Sequence, residues 1–321
     1  MKKIIALAFC IVLIFTLSAC GGSADNSEIK IVTTIFPVYD WVREIVGDNK
    51  NVDVTMLIDS GTDLHNFQPT AEDIINISTC DMFIYVGGES DEWVDDALAE
   101  KQNKDMVAIN LLDLLGENKK QEEIKEGMEA EEEGGDSGEE EETEYDEHIW
   151  LSIKNASLLC LKINDELCKI DKSGAEGYKA NVINYVQKLS NIDKQYKSAV
   201  SNSAFKTLIF GDRFPFRYLV DDYGLDYYAA FVGCSAESEA SFETVVFLAN
   251  KIDELGLNSI IKIEGSDGKL ANTIKENTKS KNAQILTLDS MQSVTSKQVD
   301  SGVTYTGICE KNLDVLKIAL G

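Results

Sequence analysis

The sequence predicts an α/β protein made of two lobes, each a parallel sheet flanked by helices, bridged by one long helix. Three observations carry this. Short apolar runs alternate with helical patterns early in the chain, the same alternation returns late, and a long helical stretch without proline separates the two. A length of 321 residues agrees, being too long for one ordinary core and suited to two of roughly 130 to 150 residues each.

The first lobe is placed over 29–170. Its strands are "IKIVTTI", "VDVTMLI", "MFIYV" and "MVAIN", rich in β-branched residues, with the helical patterns "VYDWVREIVG" and "DEWVDDALAEK" between them. The bridging helix is placed over 171–202, where "YKANVINYVQKLSNIDKQYKSAVSN" keeps apolar residues near helical spacing. The second lobe, 203–321, offers strands in "KTLIF", "DYYAAF", "SIIKIE" and "QILTL", and helices in "SFETVVFLANKIDELG" and "EKNLDVLKIAL". One segment breaks the pattern. From Glu122 to Glu147 there are fifteen carboxylates against Lys125 alone, a net of −14 out of −26 for the chain. Such a composition predicts a disordered acidic loop over 117–146.

The first residues read as an export signal over 1–19: Lys2 and Lys3, then an apolar core fourteen residues long from Ile4 to Leu17, too short to span a bilayer comfortably. "LSAC" sets small residues before Cys20, the pattern of a lipoprotein processing site, and a polar tether over 20–28 follows. Cys20 is therefore expected to be lipidated, holding the mature chain at the outer face of the cytoplasmic membrane. The remaining cysteines, Cys80, Cys160, Cys168, Cys234 and Cys309, form no CxxC pair and read mostly as buried small apolar residues. The negative charge excludes nucleic acid as a partner, because phosphate neutralisation needs clustered Lys and Arg.

The chain has two histidines, His65 in "DSGTDLHNFQPT" and His148 in "YDEHIWLS". Both fall where strands or loops meet helices, the edge at which open α/β sheets bind ligands. Here the chain resembles the solute-binding lipoproteins of zinc and manganese ABC importers. The stretches carrying the resemblance are "FPVYDWVREIVGD", "MLIDSGTDLHNFQPTAEDI", "CDMFIYVGGESDEWVDDAL", "DEHIWLS" and "LTLDS", in the family's order across the mature chain. Gly61, His65, Phe67 and Pro69 match its first histidine motif; Glu147, His148, Ile149, Trp150 and Leu151 match its second.

The resemblance implies that His65 and His148 bind metal, with Asp289 as a carboxylate ligand. The family's third ligand, a histidine or glutamate, is missing from "LIFGDRFPFRYLVDDYGL"; Asp212 is the nearest replacement, with Glu237, Glu239 and Glu264 as substitutes. Asp212 and Asp289 would serve equally as helix caps. Two imidazoles with carboxylates suit Zn²⁺, and less well Mn²⁺. The implied function is an extracytoplasmic receptor, monomeric and lipid-anchored, delivering the ion to a permease driven by an ATPase. The acidic loop would concentrate dications or serve as a solvated tether. A bulkier ligand, a siderophore or haem, is the alternative, using Arg213 and Arg217 beside Phe214, Phe216 and Tyr218. An adhesive surface lipoprotein of the same fold is a further alternative. An enzyme is disfavoured, since neither HExxH nor GxSxG occurs.

Overall fold

The structure, a computed structural model, describes residues 28–129, 144–234 and 239–321. The expected signal segment, Cys20, most of the tether, the centre of the acidic segment and Glu237 lie outside the described residues.

The first sheet comprises β1 (Ile29–Thr33), β2 (Val52–Met56), β3 (Met82–Tyr85) and β4 (Val107–Asn110), all parallel, in the order β2-β1-β3-β4. The second comprises β5 (Thr207–Phe214), β6 (Asp226–Val232), β7 (Ser259–Ile263) and β8 (Gln284–Leu288), also parallel, in the order β6-β5-β7-β8. The two orders are equivalent. In each sheet the chain reverses direction beside its first strand, so each has a switch point at the carboxyl ends of its strands.

Helices α1 (Phe36–Val46), α2 (Ala71–Thr79) and α3 (Trp93–Ala99) connect the strands of the first sheet, and α4 (Leu111–Leu115) follows β4. Then come α5 (Ile153–Ile170) and the bridging helix α6 (Ala175–Asn202), 28 residues, which is ~42 Å at 1.5 Å per residue. The buried stripe of α6 is Tyr178, Val182, Tyr185, Leu189, Ile192, Tyr196 and Val200, steps of three and four that keep one face on the core. The second lobe adds α7 (Arg217–Tyr223), α8 (Phe242–Leu255), α9 (Lys269–Asn277), α10 (Ser296–Asp300) and α11 (Tyr305–Leu320). One apolar core runs from the first lobe through α5 and α6 into the second, and a smaller one lies between β5, β6, α8 and α9.

Two features differ from expectation. β5 extends past "KTLIF" to Phe214, although Gly and Asp are poor strand formers. Its pairing with β6 shifts register between Phe210 and Arg213, a bulge over Gly211 and Asp212. Gly211 is required there, because a Cβ would sit 2.8 Å from the Cα of Ala271. A bulge of this kind re-aims the next side chain, here Arg213.

The acidic segment is the second correction. Its flanks, 117–129 and 144–146, are ordered rather than disordered. Gln121 and Tyr145 form an antiparallel bridge, and the Asp146 amide donates to the Lys120 carbonyl at 2.9 Å. The Glu129 amide donates to the Ala230 carbonyl at 2.9 Å, so this flank pairs with β6, the edge strand of the second sheet. Lys125 pairs with Asp226, and Met128 packs on the core. An exposed strand edge recruits backbone from whatever lies beside it. That pairing offsets the ordering entropy that composition alone leaves uncompensated.

Candidate metal centre

Each histidine is set by an aspartate two residues earlier. Asp63 ends the loop after β2 and its Oδ1 accepts the His65 amide at 3.2 Å, capping the short 3-10 turn Leu64–Asn66. Asp146 does the same for His148, accepting its amide at Oδ1 at 2.9 Å. Both contacts are Asx turns, which fix the backbone and hence the ring that follows.

The rings then face each other. His65 Nε2 lies 3.2 Å from His148 Nε2, with ring centroids 5.2 Å apart and planes inclined by 58°. Each Nδ1 has an oxygen partner: Ser90 Oγ for His65 at 2.7 Å, and Asp146 Oδ1 for His148 at 3.2 Å. When a cation takes both Nε2 atoms, each ring proton therefore has an oxygen beside Nδ1, the arrangement that orients metal-bound imidazoles. His148 is fully buried, and its ring lies 5.3 Å from that of Trp150, itself held by donating Nε1–H to the Ser290 carbonyl at 2.8 Å.

Electrostatics disfavour a charge on His65 in the absence of metal. Burial holds it well below the ordinary imidazole range, His148 and Arg213 push in the same direction, and Asp63 opposes them. Glu147 is also buried. Its Oε1 accepts the Ser90 amide at 2.8 Å, while Oε2 has no hydrogen-bond partner among the described residues and lies 3.8 Å from His65 Nδ1. Burial raises its carboxyl above the usual range, with Ser90 opposing.

The second lobe reaches the histidines through three groups. Arg213, at the bulged end of β5, pairs with Asp63. Gln292, beyond β8, donates its amide NH₂ to Asp63 Oδ1 at 2.8 Å and sets its oxygen 3.1 Å from His148 Nε2, the orientation that a carboxylate acceptor demands. Cys234 follows β6, and its sulfur and one ring nitrogen of each histidine all lie within 4.8 Å of one another. A cleft of about 900 Å³ opens beside this group, lined by Gly61 and Asp63 on one side and by Asp212, Arg213, Glu239 and Glu264 on the other.

Of the four side chains expected to bind metal, the structure brings His65 and His148 together. Asp212 and Asp289 are not part of this donor group among the described residues. Asp212 accepts the Arg213 amide at Oδ1 (3.0 Å) and the Ile263 amide at Oδ2 (3.3 Å), so it serves the bulge. Asp289 accepts the Met291 amide at 2.8 Å; burial, with Glu264 adding, raises its carboxyl to about 6. Glu264 holds the same turn, accepting from the Ser290 amide and hydroxyl, both at 2.6 Å. Glu239 lines the cleft.

The cleft suggested for a bulkier ligand is not built as supposed. Phe214, Phe216 and Tyr218 are core residues, 3%, 0% and 1% exposed, and Arg217 pairs with Glu123 at 3.4 Å. Cys234, named from the sequence only among cysteines read mostly as buried small apolar residues, is half-buried and lies in this donor group. Its only signal was its position after "DYYAAF", at the carboxyl end of a strand. Burial pushes its thiol above the ordinary range, with Glu147 adding to the effect. All five described cysteines are free thiols.

A family model, the periplasmic component A of the zinc-uptake complex, ZnuA, matches residues 31–319. The chain belongs to the ZnuA family. Within it, the high-affinity zinc uptake system protein ZnuA of Bacillus subtilis (strain 168) is 30% identical over 325 aligned positions, covering 98% of this chain and 96% of the relative. The zinc-binding protein AdcA of Streptococcus pyogenes serotype M3 is 29% identical over 99% of this chain, which spans 62% of that relative's length. Among solved structures, the Zn(II)-bound ZnuA-like domain of Streptococcus pneumoniae AdcA matches with a TM-score of 0.71 at 27% identity, covering 91% of this chain and 99% of the domain. The metal-dependent lipoprotein YcdH of Bacillus subtilis gives 0.72 at 27% identity, covering 91% of this chain and 100% of its own. In this ZnuA-family chain His65, ahead of α2, and His148, ahead of α5, come together with Cys234, which follows β6.

Proposed function

We propose that this chain is the extracytoplasmic receptor of a zinc ABC importer, holding one Zn²⁺ between its lobes on the imidazoles of His65 and His148. The observation that carries the reading is the 3.2 Å separation of the two Nε2 atoms. Two imidazoles on a tetrahedral zinc, with Zn–N near 2.0–2.1 Å, stand ~3.3 Å apart, so the pair is spaced for a shared ion. Each Nδ1 already faces an oxygen, which removes part of the ordering cost of binding. The relatives named for zinc uptake support the same cargo.

The chain's role is capture and hand-over, and its chemistry is ligand exchange. A dication would replace the contact between the two Nε2 atoms, with any proton there moving to Nδ1 beside its oxygen or to solvent, and the buried Glu147 beside them would supply compensating charge. Lipidation of Cys20 would tether the receptor at the outer face of the cytoplasmic membrane, where a permease with its ATPase accepts the ion from a monomeric receptor.

The test is metal content and competitive titration with Zn²⁺ and Mn²⁺ on the mature protein and on a His65→Ala, His148→Ala double variant. One tightly held zinc, lost in the variant, is the expected result. A mature protein that holds no metal, or a variant that binds as tightly as its parent, would overturn the proposal.

A further inference from the structure

Two imidazoles occupy two corners of a tetrahedral site, and the aspartates expected at the others are engaged elsewhere. We infer that Cys234 is the third ligand, binding the captured zinc as a thiolate and completing an N₂S donor set across the two lobes. The inference rests on the zinc-receptor reading, and three observations point to it.

The first is distance. The sulfur and one nitrogen of each ring lie within 4.8 Å of one another, and tetrahedral zinc with Zn–S near 2.3 Å and Zn–N near 2.05 Å sets sulfur ~3.6 Å from nitrogen. Closure by up to about 1.2 Å brings all three atoms to bonding range.

The second is the backbone that delivers the sulfur. Gly233 passes against the His148 imidazole so closely that a Cβ on it would lie 2.9 Å from His148 Cε1 and 3.2 Å from Nδ1. A residue with any side chain would hold this turn away from the ring. Glycine lets β6 end against His148, and the next side chain is Cys234.

The third is the fate of the strand end where the family's third ligand was expected. Arg213 emerges from the bulge there, and its guanidinium is committed to Asp63. A cation at that place cannot ligate a metal, so the second lobe must supply its donor from another strand. β6 is the neighbour of β5, and it supplies the thiol. As the Zn–S bond forms, the thiol proton leaves to solvent and the site's charge falls by one. Glu147, whose Oε2 has no hydrogen-bond partner among the described residues, offsets the remaining charge.

The consequence is selectivity. A thiolate with two imidazoles favours zinc and softer ions such as cadmium, and disfavours manganese, which takes oxygen ligands. The four other described cysteines stand outside the donor group, so a sulfur signal from bound metal reports on Cys234.

Zinc-edge X-ray absorption on the mature protein loaded with one equivalent of zinc tests this. The expected result is one sulfur at about 2.3 Å beside nitrogen and oxygen at about 2.0–2.1 Å. In Cys234→Ser the sulfur shell disappears while zinc remains, at least tenfold weaker in chelator competition. Zinc should also shield Cys234 of the unmodified protein from thiol alkylation, read by peptide mass spectrometry, which requires no folded variant. One bound zinc with only nitrogen and oxygen neighbours, a sulfur shell surviving in Cys234→Ser, or unshielded alkylation of Cys234 would overturn the cysteine assignment and leave the receptor reading standing. No bound zinc in the unmodified protein would overturn both.

Discussion

Replacing Gly233 with alanine adds one methyl group at the tightest point of the site, and its cost follows from the geometry. The new Cβ would stand 2.9 Å from His148 Cε1, 3.2 Å from His148 Nδ1 and 3.0 Å from the Phe214 carbonyl oxygen. Carbon atoms pack at about 3.5–4.0 Å, so the imidazole must retreat by roughly 0.6 Å or more, or β6 must leave β5. Neither neighbour yields easily: Phe214 O is strand backbone, and His148 is fully buried between Asp146 and the Trp150 ring. Overpacking of this kind costs about 1–3 kcal/mol. With unfolding entropy near 2.1 cal/mol/K per residue, a chain of about 300 residues carries ~0.6 kcal/mol/K, so 2 kcal/mol lowers Tm by about 3 °C.

On the proposed ligation, the displaced ring would also bind zinc less well. A tenfold loss of affinity removes ~1.4 kcal/mol of ligand stabilisation, about 2 °C more in excess zinc. Calorimetry on Gly233→Ala should therefore show a deficit of about 3 °C without metal that widens to about 5 °C with it. A Tm equal to the parent in both conditions would refute the packing argument. A metal-free deficit with the full zinc-induced shift retained would refute the link between this contact and His148 ligation.

Arg213 and Asp63 are each 16% exposed, so Arg213→Met leaves a largely buried carboxylate and should cost about 2 kcal/mol in urea unfolding, with Asp63→Asn in the same chain recovering part of it; additive effects would show that the pair is not coupled. Gly177, in the first turn of α6, has open space at its Cβ position, so Gly177→Ala should raise stability by about 0.5 kcal/mol, and a loss would contradict the packing seen there. Asp91 is buried, accepts the Gly87 amide at 2.9 Å, and burial raises its carboxyl to about 7. The folded state then binds a proton that the unfolded chain, near 3.8, has lost. Its contribution is complete below about pH 4 and disappears as pH rises to 7, a few kcal/mol in size. Asp91→Asn should flatten the fall in stability over that range, while an unchanged slope in a pH series of urea unfolding curves would assign the fall to other groups.

What the sequence disclosed follows from how local each signal is. The strands of the first lobe and the stripe Tyr178, Val182, Tyr185, Leu189, Ile192, Tyr196 and Val200 are periodic within a few residues, so composition and spacing reveal them. The extension of β5 through Gly211 and Asp212 is not local, because its support is pairing of Arg213 with Phe231 and of Phe214 with Val232. The ordered flanks of the acidic segment were hidden for the same reason: their partners, Ala230 and Asp226, lie in the other lobe. His65 and His148 stand 83 residues apart, and only the motifs around them indicated that they meet. Cys234 had no motif. Its nearness to both rings is purely tertiary, and a cysteine at a strand end reads otherwise as one more small apolar residue.

The two histidines share a device whose consequence reaches beyond each residue. Asp63 and Asp146 each stand two residues before a histidine and accept its amide, and each is also held by the second lobe: Asp63 by Arg213 and Gln292, Asp146 by Tyr218, whose hydroxyl donates to its carbonyl at 3.0 Å. A displacement of β5 or α7 therefore acts on the aspartates, and through them on the backbone that aims the rings. The displacement available is small, since α6 is a continuous helix and one apolar core joins it to both lobes, so a wide hinge opening would expose packed side chains. On the proposed ligation small shifts would suffice, because an imidazole moved by a fraction of an ångström from its coordination vertex would lose much of its bond to zinc. Retention and release would then depend on the position of the second lobe against the Asp63 carboxylate and the Asp146 carbonyl, with the protonation of His65 secondary, since burial already disfavours charge on that ring.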